Sequence, residues 1–457
     1  MVGTLTLTED GVDVAVPYLL DDPQFASVQQ WFESKTAPSQ LLAISTELRM
    51  SLFGSRFTHG PLSYSDFSTS EGRILVQEAV MKRWEGDFHA PLLVEEVKSE
   101  MDGLHEFSRL SSITRKAIST GEGRDRRNVI DYKVEGVDGL EWTQGQARMK
   151  ISTSWLDHGG NDIAVRDRSV LTSKFDSPRS FREHLVEHRK FVSLLSIIYG
   201  KPIAFRQHDI RDTNVAMKTM DGTIHGHPWT ELISRQTIAD YSTERPERME
   251  LFYALIRMPQ LSSKTLSRWG NEYDARSRFL IPLTGLLASR DGYVENTAIN
   301  AAMSLEAFGK GIATLIDGEA ATYDSRNRAT TATYVFRGLR ALGLSWAIAH
   351  SDVGLARAIA RNYNTIKHPK GDFPDSLHTK VLGSISVGVA RLLALQLVMT
   401  VEEYASVETS FPFREAIALA GNNGLFVEED GTMRDARAAS GQSAVTVGAS
   451  RETAIDE

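Results

Sequence analysis

Hydrophobic positions change their spacing along this chain, and the change divides it. Through about residue 175 apolar residues tend to alternate with polar ones in short runs. Leu5 and Leu7, then Val12, Val14 and Val16, flank the turn Glu9-Asp10-Gly11, which predicts a hairpin. Further runs at 41–52, 91–97, 149–155 and 163–171 are separated by Gly, Asp, Asn or Ser clusters such as 158–162. Many short strands of this kind predict a sandwich or a distorted barrel. Segment 75–84 reads as a helix or a mixed element. A helix then follows, with Ser177 as N-cap, Pro178 at its first position and Gly200 just past its end. Phe181, Leu185, His188, Val192, Leu195 and Tyr199 share one face of it. Segments 201–205 and 223–227 read as returning strands.

A charged stretch at 242–248 ends this region, and the period beyond it stays helical. Segments 249–258 and 266–287 predict a helical connector. Four helices follow, at 293–316, 326–349, 353–367 and 376–404. The first carries Ile299, Met303, Ala307, Leu305, Phe308 and Ile312 as an apolar stripe. Short connections between amphipathic helices predict a bundle with mostly antiparallel neighbours. A short helix is expected at 413–420, and beyond Glu428 large apolar residues become few, which predicts disorder. The expected class is α+β. A β-rich N-terminal domain (1–245) leads through a connector (246–288) to an all-α four-helix bundle (289–405). A helical extension (406–427) and a disordered tail (428–457) complete it.

Length adds that 457 residues exceed one ordinary core. A net charge of -8 argues against a protein that coats nucleic acid. Between Asp352 and Arg391, however, six Lys/Arg face three acids, a local excess of +3. The absence of cysteine excludes disulfides, thiol nucleophiles and cysteine-ligated zinc, and fits a reducing cytosol. The N-terminus lacks a signal-peptide pattern. The most apolar stretch, 381–399, carries Arg391, Gln396, Ser384 and Ser386, which predicts a buried helix and no membrane span. The expected location is cytoplasmic.

The main chemical candidate is Arg361 with His368. Seven helical steps return nearly to the same face, and Pro369 ends the helix. Histidine moves protons near neutral pH and arginine holds phosphate, so the pair suits metal-free phosphodiester cleavage. A solvated helix face with a histidine at its C-terminus accounts for the same pattern. His184-x-x-Glu187-His188 matches the inverted zinc-peptidase pattern, although His188 falls on the apolar face of its helix. His225 and His227, two apart, could bind a metal, but surface histidines on strands are commoner. Trp84, Trp142, Trp155 and Trp229 read as core and rim packing. No phosphate-binding glycine loop and no serine nucleophile elbow is present.

Arg361, followed by the polar Asn362 and separated by six residues from His368, resembles the signature of the HEPN superfamily. Tyr293-Val294-Glu295 leading to Ser304-Leu305-Glu306-Ala307-Phe308 looks like the opening helix of ApeA-like HEPN domains. Gly3-Thr4-Leu5, and Phe191-Val192-Ser193-Leu194-Leu195 running into Tyr199-Gly200-Lys201-Pro202, resemble the ApeA N-terminal domain. The resemblance spans residues 1 to about 405. It implies a dimeric bundle acting as a metal-independent endoribonuclease of anti-phage abortive infection, with RNA, tRNA among the candidates, as substrate and a 2′,3′-cyclic phosphate as product. His368 would then be the general acid or base, Arg361 the phosphate clamp and Asn362 an orienting group. Arg357, Lys367 and Lys370 are the expected RNA-binding residues. No metal or cofactor is expected, and the β-rich region would sense or restrain, with a phage-derived trigger. Seven residues span about 10 Å of helix rise, so both chains of a dimer are expected to build the site. The alternatives are a non-catalytic HEPN-type binding or dimerisation module and, more remotely, the zinc peptidase.

Overall fold

The computed structural model describes residues 2–19, 24, 26–34, 36–46, 48–58, 69–87, 89–120, 127–158, 164–289, 292–368 and 374–435. It forms two compact units. The first is Met1–Ala275 with Val398–Val407, and the second is Arg276–Leu397 with Glu408–Glu457. The division falls after Ala275, so the expected connector is shared between the units.

The first unit is built on a nine-stranded antiparallel sheet. Its strands are β1 (Gln40–Ile44), β2 (Arg49–Phe53), β3 (Glu78–Val80), β4 (Leu93–Met101), β5 (Asp138–Gln144), β6 (Ala147–His158), β7 (Ala164–Ser180), β8 (Phe205–Arg211) and β9 (Thr230–Ser234). Their spatial order is β5-β6-β7-β4-β8-β9-β3-β2-β1. A four-stranded sheet holds the predicted hairpin, with Leu5 opposite Val14 and Leu7 opposite Val12. Val12, Ile74 and Val76 of that sheet share a core cluster with Met50, Leu52 and Ala79. Segment 75–84 is not helical: it ends the strand Thr69–Val76 and supplies β3. Its successive apolar residues Ile74, Leu75 and Val76 are all buried, a two-sided pattern that periodicity alone does not separate from a buried helix.

Helix α1 (Phe181–Tyr199) begins three residues later than its sequence suggests. β7 runs on to Ser180, and Arg179 and Ser180 pair with Val94 and Leu93 across an irregularity that contains Pro178. The ladder therefore takes the residues that would have made the first cap. Ser180 caps the helix instead, in a reciprocal box with Glu183. Gly200, at φ 73°, ends it with its N–H on the Ser196 carbonyl. Segment 201–204 is not a strand; β8 starts at Phe205. Segment 249–258 forms turns rather than a helix, burying Leu251, Leu255 and Ile256. Helix α2 (Ser263–Ala275) belongs to this unit.

The second unit contains helices α3 (Ser277–Ala288), α4 (Val294–Lys310), α5 (Thr331–Leu342), α6 (Asp352–Lys367) and α7 (Ser376–Gln396). α4 packs against α3, α5 and α7, and α5 packs against α6. Leu305, Val335, Leu339, Leu355, Val381, Ile385, Val389 and Leu392 are buried among them. The buried face of α4 is Ala298, Ala301, Ala302, Leu305 and Phe308, whereas Met303, expected inside, is 42% exposed. Small residues allow close approach here: a Cβ on Gly309 would lie 2.1 Å from the Tyr334 carbonyl oxygen. α4 and α7 end earlier than their periodicity suggests, at Lys310 and Gln396, and α5 starts only at Thr331.

Residues 428–435, expected to open a disordered tail, instead complete a hairpin of β10 (Leu425–Val427) and β11 (Met433–Asp435). The rest of that expectation, 436–457, lies outside the described residues. Among the described residues no helix is long and apolar enough to cross a membrane.

Candidate functional site

α6 starts on Ser351, whose hydroxyl accepts from the Gly354 N–H, and its C-cap is His368. Leu355, Ile359 and Tyr363 bury one face. Asn362 is buried with them, only 7% exposed, and its carbonyl accepts from the Thr379 hydroxyl of α7 at 2.9 Å. That bond ties the middle of α6 to the start of α7. Arg361, one residue earlier, is exposed, as is His368. The His368 backbone N–H donates to the Asn364 carbonyl at 2.9 Å, closing the last turn. Its imidazole has no hydrogen-bond partner among the described residues.

Arg361 is not free. Its guanidinium donates to the Thr432 hydroxyl and the Asp430 carbonyl, each at 2.9 Å. Arg357, one turn earlier, donates to the carbonyls of Glu429 (2.9 Å) and Ala321 (2.5 Å). The β10–β11 turn therefore takes donors from both arginines of α6. It also sets Glu428, Glu429 and Asp430 beside a helix that read as locally basic. Arg391, part of that basic count, is buried in α7, and burial pulls its pKa down to about 10. Lys367 donates to its neighbour Tyr363 at 3.1 Å and sits over that ring. Lys370 and Pro369 lie outside the described residues.

Asp430 and Thr432 were not legible as site residues, since they lie about 70 positions from Arg361. Glu429-Asp430-Gly431 between apolar runs is a turn signal, but nothing in it names a partner. The fit depends on Gly431, which has φ 81° and whose Cβ would stand 2.5 Å from the Arg357 Cβ and 2.8 Å from the Ala358 nitrogen. Gly431→Ala is expected to cost the second unit about 1–3 kcal/mol. Faster hydrogen exchange over residues 428–432 would register the turn leaving α6.

The zinc-peptidase pattern is corrected by a different use of the same histidines. His184, His188 and His208 are fully buried in the first unit. The His184 Nε2 donates to the Val94 carbonyl at 3.2 Å, so its Nδ1 accepts from the Ser173 hydroxyl at 2.7 Å. Ser173 then accepts from His188 Nε2 at 2.8 Å, and Ser99 donates to His188 Nδ1 at 2.7 Å. Ser99 in turn accepts from His208 Nδ1 at 2.7 Å, and Thr237 donates to His208 Nε2 at 2.9 Å. One direction of donation satisfies the whole chain with neutral rings, and no ring nitrogen is left for a metal. Glu187, the would-be base, instead accepts from Gln144 and Lys190. His225 and His227 are exposed, and no cluster of three metal-ligating side chains occurs among the described residues. Trp84 and Trp142 are core residues, packed on Phe53 and Phe191.

These histidines give the first unit a pH dependence. Burial pulls His184 down to about 4 and His208 down to about 3, and pulls His188 well below the ordinary range. Their contribution is complete above the unfolded pKa of about 6.5 and falls by about 1.4 kcal/mol per site and pH unit below it. Glu78 acts in the opposite sense: burial raises it to about 7, so acidification from pH 7 towards 4.5 restores part of its contribution. The balance predicts a loss of about 2 kcal/mol between pH 7 and 5.5. Urea unfolding followed by tryptophan fluorescence measures it, since six of the seven tryptophans lie in this unit.

The family model for ApeA N-terminal domain 1 matches residues 2–224, the larger part of the first unit. This half of the protein is ApeA-like. The assignment agrees with a β-rich region that precedes a helical one, and it points to an anti-phage defence family. The chain has no significant match among curated proteins or among solved structures. The ApeA-like match ends before the helical unit begins.

Proposed function

We propose that the protein is a cytoplasmic, metal-independent endoribonuclease of anti-phage defence, with its catalytic groups on the helical unit that follows the ApeA-like region. The observation that carries this reading is the division of labour at the end of α6. Asn362 is pinned inside by Thr379, while Arg361 and the His368 imidazole emerge at the surface. In this reading His368 takes the proton of a ribose 2′-hydroxyl, which attacks the adjacent phosphorus. The 5′-oxygen leaves and takes up a proton from water, giving a 2′,3′-cyclic phosphate and a 5′-hydroxyl, and the protonated His368 returns its proton to solvent. Arg361 holds the phosphate, whose negative charge grows in the transition state. Lys367 supplies a further cation near the strand.

The test is cleavage of RNA, tRNA included, by the intact protein in EDTA, with the product ends identified. Cyclic-phosphate ends from the wild type, and none from Arg361→Ala or His368→Ala, are expected. Equal cleavage by all three would overturn the reading. A mixture of the two variants distinguishes where the pair works. A dimer that joins Arg361 of one chain to His368 of the other regains one intact site, whereas a pair confined to one chain regains none.

A second reading is a non-catalytic binding or dimerisation bundle. The engagement of Arg361 by Asp430 and Thr432 favours it, because those bonds occupy donors that phosphate would need. RNA binding or self-association without cleavage would support this reading.

A further inference from the structure

The first unit contains a cavity of about 280 Å³ that none of the chemistry above uses. Its floor is the end of β4 with the following turn, and one wall is β7. Arg245 and Arg248 stand at its edge.

The arrangement of charge in it is unusual. Glu100 is the focus: Arg166 Nη2 lies 2.8 Å from its carboxylate, Arg168 Nη1 3.0 Å and Arg245 Nη1 3.5 Å. Three guanidiniums thus share one carboxylate. Arg168 is only 6% exposed, yet its Nε has no hydrogen-bond partner. A buried donor left unpaired is costly and calls for an acceptor. Arg166, Arg245 and Arg248 are exposed, and Arg248 has no partner among the described residues.

Of the three further carboxylates of the lining, that of Glu106 has no hydrogen-bond partner among the described residues, while those of Asp102 and Asp167 are already engaged. Asp102 accepts from Arg206 at 2.8 and 2.5 Å. Asp167 accepts from the Ser111 hydroxyl, the Ser112 hydroxyl and the Ser112 N–H at 2.7, 2.7 and 3.0 Å. Burial opposes ionisation of Asp167, but those serine bonds outweigh it and hold its pKa below the usual range. The cavity therefore presents four guanidiniums against one free carboxylate, Glu106, so its donors outnumber its free acceptors. A cation would meet guanidiniums, and an apolar ligand would leave them unpaired.

We propose that this cavity binds a small phosphorylated ligand, no larger than a mononucleotide. Its volume lies just below the usual range of about 300–1,000 Å³ for ligand pockets. Planar guanidiniums pair with phosphate oxygens in a two-pronged fashion, which a carboxylate-shared cluster can offer at its open edge. The site lies within the first unit, with most of its lining inside the ApeA-like match and Arg245 and Arg248 just beyond it, so its occupancy is separate from any chemistry on α6.

Isothermal titration of the intact protein with inorganic phosphate, pyrophosphate and AMP tests the proposal. Saturable binding of at least one of them is expected. Arg245→Ala/Arg248→Ala should weaken it by about tenfold or more, and Arg248→Glu should do the same. Arg248 has no partner to lose, so that variant remains folded, as unfolding curves will verify. No binding up to about 10 mM, or equal binding by the variants, overturns the proposal. Preferential binding of a single-stranded RNA oligonucleotide that the same variants abolish also overturns it, and reassigns the cavity as part of an RNA groove.

Discussion

His368→Ala is expected to lower RNA cleavage in EDTA by about 10²–10⁴-fold while leaving the fold intact. The structure makes this a clean experiment. The His368 side chain is exposed and bonds to no described residue, and the cap it provides is made by its backbone N–H. Substitution at such a position changes stability by no more than about 0.5 kcal/mol. A loss of activity would therefore report chemistry rather than unfolding. His368→Gln should fall equally far, because it keeps a polar side chain without a group that takes up a proton near neutral pH. Arg361→Lys should lose less than Arg361→Ala, since it keeps charge but not the two-pronged grip. If His368→Gln cleaves as well as the wild type, proton transfer by this residue is excluded.

Arg337→Met is expected to destabilise the second unit by about 3–5 kcal/mol. Arg337 Nε and Nη2 bond to the two oxygens of Glu319 at 2.8 and 3.0 Å, and both side chains are nearly buried. The same guanidinium caps α4, with Nη1 on the Gly309 and Ile312 carbonyls at 3.3 and 2.9 Å. Glu319 also accepts from the Tyr323 hydroxyl and the Ile316 N–H, and the Arg337 bonds lead the causes that hold its pKa near 2. Removing the arginine leaves a buried carboxylate with no cation and takes from the Ile312 carbonyl its side-chain donor. Among the described residues it leaves the Gly309 carbonyl with the Ile312 N–H alone. Thermal or chemical unfolding of the second unit measures the effect. Arg337→Met combined with Glu319→Gln should recover part of the loss, because no unpaired charge remains. An Arg337→Met variant as stable as the wild type would show that the pair contributes nothing net.

The sequence by itself determined the order of the two regions, the N-terminal hairpin, the helix closed by Gly200 and the helix that carries Arg361 and His368. Those features rest on local spacing and on turn or cap chemistry, which act over a few residues. Burial on both faces hid the strands in 75–84, and ladder pairing moved the start of α1 from Ser177 to Ser180. Only the tertiary structure decided how the site residues are held. Asn362 faces α7 because Thr379 meets it there, and Arg361 faces a hairpin about 70 residues further on. It also turned His184 and His188 from metal candidates into a hydrogen-bonded chain through Ser173 and Ser99. A side chain's partner is set by whatever the fold brings within about 3 Å, and residue spacing along one element carries no record of that.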